Sequence, residues 1–180
     1  MAKVVIIGGN KRSGKTTLAT LMHKKYNFNY YNFDMLLDSL EASFSELNDG
    51  KDDKYIKLLE EMVKRSLDDA KNYNISTVYE YIFTPDMFSK FKYIKDVKIV
   101  FLANLDANED NIEDDLIKYS KEYDWPLSAT NEDMKRNIKY ILENNEILKE
   151  ECKKYNFRLI NTSREKKRNT IINKLLKEFK

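Results

Sequence analysis

Residues 4–17 read VVIIGGNKRSGKTT, and the architecture of the chain follows from this segment. Val4 to Ile7 is a β-branched aliphatic run, the composition of a strand buried on both faces in a parallel sheet. It ends at Gly8-Gly9. From Ser13 the apolar spacing turns helical, with Leu18, Leu21 and Met22 three and four positions apart. Between strand and helix lies Gly9-Asn10-Lys11-Arg12-Ser13-Gly14-Lys15-Thr16, which fits G-x-x-x-x-G-K-[ST] at every fixed position. A loop of this kind aims consecutive backbone N–H groups at a phosphate, and glycine permits the dihedrals and close approach that this requires. The helix behind it adds its positive end. Lys15 is then placed for the β- and γ-phosphates of a nucleoside triphosphate, and Thr16, with Thr17 beside it, for Mg²⁺ and phosphate. The chain has four glycines, and Gly8, Gly9 and Gly14 all fall here.

Outward from this segment, strands alternate with helices. Strand-like runs are Phe28–Phe33, Ile75–Phe83, Val97–Leu102 and Phe157–Ile160. Helical patterns cover Met35–Leu47, Ile56–Tyr73, Asn131–Tyr155 and a last helix to Phe179 that Ser163 can cap. Thr84-Pro85 can start a short helix, and Trp125-Pro126 interrupts a helical stretch. Asp49-Gly50 reads as a break. The alternation predicts an α/β fold, a parallel sheet with helices on both faces. Residues 1–180 read as one domain, with the polar stretch Asn104–Asn131 as a mobile lid.

Ligands of such sheets bind outside the carboxyl ends of the strands, so polar residues there are candidates. Asp34 follows the second strand. It can take a proton from an acceptor hydroxyl, orient Mg²⁺ through water, or cap a helix. Glu80, a lone carboxylate in the third strand, is a candidate metal acid holding the Mg²⁺ water shell. Thr162 and Ser163 end the fifth strand and can lie beside the base, where Arg164 can stack. Residues 164–168 (REKKR) otherwise read as a solvated helix face. Arg12 faces either solvent or the transferring phosphoryl group; Lys11 reads as loop surface. Arg136, just after the lid, is the leading lid cation or else a solvated helix position, with Lys118 and Lys121 as weaker alternatives; Arg65 lies on a helix that can border the acceptor site.

Composition narrows the classes. The 32 basic and 30 acidic residues leave a net charge of +2, which points to neither nucleic acid nor an anionic membrane. The abundant Lys, Asn, Ile and Tyr all have A/T-rich codons, so basic-plus-aromatic richness carries little weight. One cysteine allows no disulfide within the chain. The first seven residues hold too short an apolar run for a leader, and no run approaches a membrane span. A cytoplasmic monomer or homodimer is expected.

On VVIIGGNKRSGKTT, NFD at the second strand end, VYEYIF at the third and RLINTS at the fifth, the chain resembles the P-loop small-molecule kinases of the nucleoside-monophosphate-kinase and shikimate-kinase-like group. The resemblance implies a three-layer α/β/α P-loop NTPase fold with strand order 2-3-1-4-5, ATP with Mg²⁺, and a lid closing over a small-molecule phosphoryl acceptor. It matches Asp34 to the family's acid and Asn161-Thr162-Ser163 to its base-contacting loop. The chain departs from that pattern in three places. Asp34-Met35-Leu36 stands where shikimate-kinase-like members have D-x-D, the lid stretch holds no arginine, and no G-G-x-G-like loop follows the third strand. A nucleotide-binding switch or slow NTPase therefore stands beside the kinase reading.

Overall fold

A computed structural model describes residues 2–44, 51–118, 120, 122, 124–163 and 167–180. Five strands, β1 (Val4–Gly9), β2 (Asn29–Asn32), β3 (Thr77–Glu80), β4 (Lys98–Ala103) and β5 (Arg158–Asn161), form one sheet in the order β2-β3-β1-β4-β5. Every pairing in it is parallel. The helices are α1 (Lys15–Tyr26), α2 (Phe33–Ser43), α3 (Lys51–Tyr73), α4 (Glu109–Lys118), α5 (Asn131–Lys154) and α6 (Arg168–Glu178). The predicted α/β alternation and strand order are both present.

Alternation along β1 builds the two cores, because successive side chains leave opposite faces of a strand. Val4 and Ile6 pack with Phe33 and Leu37 of α2, Leu59 and Val63 of α3, and Leu148 of α5. Val5 and Ile7 pack with Leu18, Ala19 and Met22 of α1 and with Ile172, Leu175 and Leu176 of α6. Val5, Ile6 and Ile7 are fully buried, so each contributes about 1.5–3 kcal/mol of transfer free energy. A third cluster joins Ile112 and Leu116 of α4 to Met134, Ile138 and Ile141 of α5. This cluster gives the 104–131 stretch a small core of its own against the long helix.

Register sets the height of the polar residues. Ile7 lies opposite Glu80, and Asn32 lies opposite Glu80 on the other side. The end of β1, the end of β3 and the β2–α2 junction thus meet at one level of the carboxyl edge.

Several boundaries differ from expectation. β3 stops at Glu80, although Tyr81 still donates to the Ile7 carbonyl at 3.2 Å and Gly9 to Phe83 at 3.0 Å. α2 starts at Phe33, and its cap is Asn32, whose side chain accepts from Met35 N. Asp34 is a first-turn residue, so its expected capping alternative is withdrawn. Ser163 does not cap the last helix: α6 begins at Arg168, after Lys167 in the left-handed region. Leu47, Asp49-Gly50, Lys121 and Arg164 lie outside the described residues. Among the described residues, no helix is long and apolar enough to cross a membrane.

Candidate functional site

Gly9 has φ 112°, and a Cβ there would fall 2.1 Å from the Leu102 carbonyl oxygen. Only glycine fits, because the loop leaves β1 pressed against β4. Gly14, at φ 91°, is the N-cap of α1 and offers no capping side chain. The first N–H groups of a helix have no partner within it. Here they open toward the loop, where Thr16 and Thr17 are exposed on the first turn.

Lys15 is buried, and its ammonium donates to the Asn10 carbonyl at 2.7 Å. Ser13 Oγ donates to the same carbonyl at 2.8 Å. Burial lowers the Lys15 pKa; attraction to Glu80 and Asp34 opposes the shift. The ammonium is therefore a poorly solvated cation, primed to gain from an arriving anion.

Glu80 is 1% exposed at the end of β3. Thr16 Oγ1 and the Tyr30 hydroxyl both donate to its Oε1, each at 3.0 Å. Tyr30 did not emerge from the sequence; nothing local marks it among the tyrosines of the second strand. The Tyr30 pKa is raised, by burial first and by Glu80 second, so the phenol keeps its proton. Thr16 and Glu80, the two expected Mg²⁺ residues, are 64 positions apart in sequence and lie side by side. Hydroxyl and carboxylate oxygens at this spacing are the hard donors that suit Mg²⁺.

Asp34 stands exposed at the rim, next to the loop lysines. Partial desolvation raises its pKa above the ordinary value; Lys15 and Lys11 lower it, and Asp38 adds to the rise. A carboxylate with a raised pKa beside a cationic loop has the properties of a general base.

Helix α5 holds the loop from outside. Asn10 Nδ2 donates to the Ile141 carbonyl at 2.6 Å and to Asn145 Oδ1 at 2.7 Å. Asn145 Nδ2 donates in turn to the Asn104 carbonyl at 2.7 Å. Lys11 Nζ donates to Asn137 Oδ1 at 3.1 Å and lies 5.1 Å from the Tyr140 ring and 5.8 Å from the Trp125 ring. Lys11 is thus tied to α5 and the lid base and is no free surface position. Arg12, at φ 57°, donates to Ser120 Oγ at 2.9 Å and pairs with Asp124 at 3.4 Å.

Arg136 takes a different course. Its side chain is 77% exposed and is engaged by Asp133, one turn earlier on α5. Among the described residues it makes no hydrogen bond or ion pair with the loop, whereas Arg12 and Lys15 belong to it. Arg65 is exposed on α3. Thr162 and Ser163 are fully buried. Thr162 Oγ1 donates to the Ala103 carbonyl at 3.1 Å, and Ser163 Oγ donates to Asn161 Oδ1 at 2.5 Å. Their side chains therefore shape the β5 turn. Arg168 departs from the solvated-face expectation; of the other residues of that run, Lys167 is exposed and 164–166 lie outside the described residues. Arg168 donates to the Thr162 carbonyl at 2.7 Å and pairs with buried Asp115 of α4 at 3.5 Å.

No protein-family model matches the chain, and no curated protein sequence matches it. The fold is nevertheless found among solved structures. An uncharacterized protein from Eubacterium ventriosum aligns with a TM-score of 0.52 and 12% identity, over 98% of this chain and 98% of its own. A candidate kinase from Chloroflexus aurantiacus aligns with a TM-score of 0.49 and 13% identity, over 76% of this chain and 74% of its own. At such identities the likeness is one of fold alone.

Proposed function

We propose that this chain binds ATP with Mg²⁺ at the Gly9–Thr16 loop and transfers the γ-phosphoryl group to a small-molecule acceptor beside Asp34. What carries this reading is the convergence of Lys15, Thr16 and Glu80 under a glycine-bounded loop at the start of α1. On it, the chain is a P-loop phosphotransferase of α/β/α architecture.

Each residue then has a task. The loop N–H groups and Lys15 bind and orient the β- and γ-phosphates. Lys15 exchanges the Asn10 carbonyl for phosphate oxygen. Thr16 and Glu80 would hold Mg²⁺, which when bound neutralises phosphate charge. Asp34 orients the acceptor hydroxyl and takes its proton as the phosphoryl group is transferred. Arg12, a second cation of the loop, can turn to the transferring phosphoryl group.

Calorimetry with ATP and Mg²⁺ is the first test. Wild-type protein should bind, and Lys15→Ala should not; unchanged affinity in that variant would sink the proposal.

A switch or slow NTPase without an acceptor is the second reading. It draws on Arg136 turning to Asp133 and on Arg12 being engaged by Asp124. A coupled ADP-release assay over a panel of hydroxyl- and phosphate-bearing metabolites separates the two. One stimulating acceptor supports the kinase; a uniformly low rate supports the switch.

A further inference from the structure

Glu80 poses a local problem. A carboxylate that is 1% exposed must be matched by donors, or its burial costs several kcal/mol. Lys15 lies near enough to attract it, but the hydrogen bonds that hold it come from two hydroxyls. Both fall on Oε1. Among the described residues no donor is paired with Oε2.

The two hydroxyls are not equivalent. Thr16 opens α1 and is exposed, on the side from which a ligand would approach. Tyr30 comes from the neighbouring strand. It sits in β2 opposite Val78 of β3, two positions before Glu80. Its ring packs against the cluster of Val5, Ile7, Leu18 and Met22, beneath α1. That packing leaves the phenol little freedom, so its O–H is a fixed arm aimed at the carboxylate. The cluster is far larger than one hydroxyl needs, and the ring would stay in place without it.

We propose that Tyr30 is a positioning residue for the metal site: its hydroxyl holds the Glu80 carboxylate so that Thr16 Oγ1 and Glu80 together present oxygens to a divalent cation. This rests on the nucleotide reading above. Thr16 can turn its lone pairs to a cation while Tyr30 keeps Glu80 in register. Without the phenol, the Glu80 carboxylate depends on Thr16 alone and must be reoriented each time the cation arrives. Partners that orient a metal-site group in this way are typically worth 10–100-fold in metal affinity.

The test is Tyr30→Phe, which removes one oxygen and keeps the packed ring. ATP affinity is measured by calorimetry in excess EDTA and again in Mg²⁺. Binding of Mn²⁺ to the ATP complex is followed by electron paramagnetic resonance. The expected result is unchanged ATP affinity in EDTA, with Mn²⁺ binding and the Mg²⁺ enhancement weakened about tenfold. Metal-free affinity doubles as a check of folding. Wild-type metal affinity in Tyr30→Phe would overturn the proposal and leave the nucleotide reading standing. Wild-type protein that binds ATP with no metal enhancement would overturn both. Failure of wild-type protein to bind ATP at all would do the same.

Discussion

The Asn10 side chain, inside the loop, donates to Asn145 Oδ1 in the middle of α5 at 2.7 Å. Both residues are buried. Asn10 also provides the carbonyl that receives Lys15 and Ser13, so α5 fixes the very peptide on which the lysine rests. Asn145→Ala strips one acceptor from Asn10 and the donor from the Asn104 carbonyl. Leaving buried polar groups unmatched costs about 1–3 kcal/mol. Denaturant unfolding should show that loss. ATP affinity should fall with it, and unaltered affinity would mean that the loop keeps its shape without α5.

Asp34 gives a prediction in pH. Its folded-state pKa is raised above the ordinary 3.8, chiefly by desolvation. The folded protein therefore holds this proton more tightly than the unfolded chain. That contribution is full below the unfolded pKa and is lost as pH rises through the folded one. At neutral pH the ionised carboxylate is thus a burden on the apo fold. Asp34→Asn should melt at a higher temperature than wild type near pH 7, with the gap closing toward about pH 4. The same variant should lose about 10²-fold or more in transfer, because an amide cannot take the acceptor's proton. Melting curves across that range and a coupled assay check the two halves separately.

Cys152 is 3% exposed, and burial, with Glu151 second, pushes its thiol up to about 12. The thiolate is the reactive form. Near pH 8 the native protein should therefore resist a thiol-specific disulfide reagent, and the unfolded chain should react in full. Rapid modification of native protein would show that the α5–sheet packing around Cys152 opens readily.

These cases mark where the sequence was readable. The β-branched run Val4–Ile7 and the three-and-four spacing of α1 and α5 are local patterns, and local patterns carry elements. Thr16 was legible from its motif, and Glu80 from its oddity, a carboxylate in a strand. Arg136 pairs locally with Asp133 of the α5 capping box. Ser163 misleads as a helix cap: Asn161 takes its hydroxyl, so it builds a turn and caps no helix. Tyr30 had no signal at all, since its role exists only through pairing of β2 with β3. Asn145 did have one. It falls in the apolar stripe of Ile138, Ile141, Leu148 and Cys152, and an asparagine in such a stripe requires a buried partner.

The last prediction concerns the loop cation. Arg12 and Asp124 pair at 3.4 Å with side chains 26% and 39% exposed. A pair so open to water is worth no more than about 1 kcal/mol, so losing the Arg12–Asp124 contact alone should cost no more than that in stability. The effects of Arg12→Ala and Asp124→Asn on ATP should have opposite signs. If Arg12 turns to the terminal phosphate, Asp124 competes with the nucleotide for it. Arg12→Ala then weakens ATP binding, while Asp124→Asn removes the competitor and tightens it by up to about fivefold, the equivalent of that 1 kcal/mol. Calorimetry on both variants decides the matter. Equal weakening in the two would show instead that the pair serves the nucleotide by holding lid and loop together, and that the phosphate never draws Arg12 away.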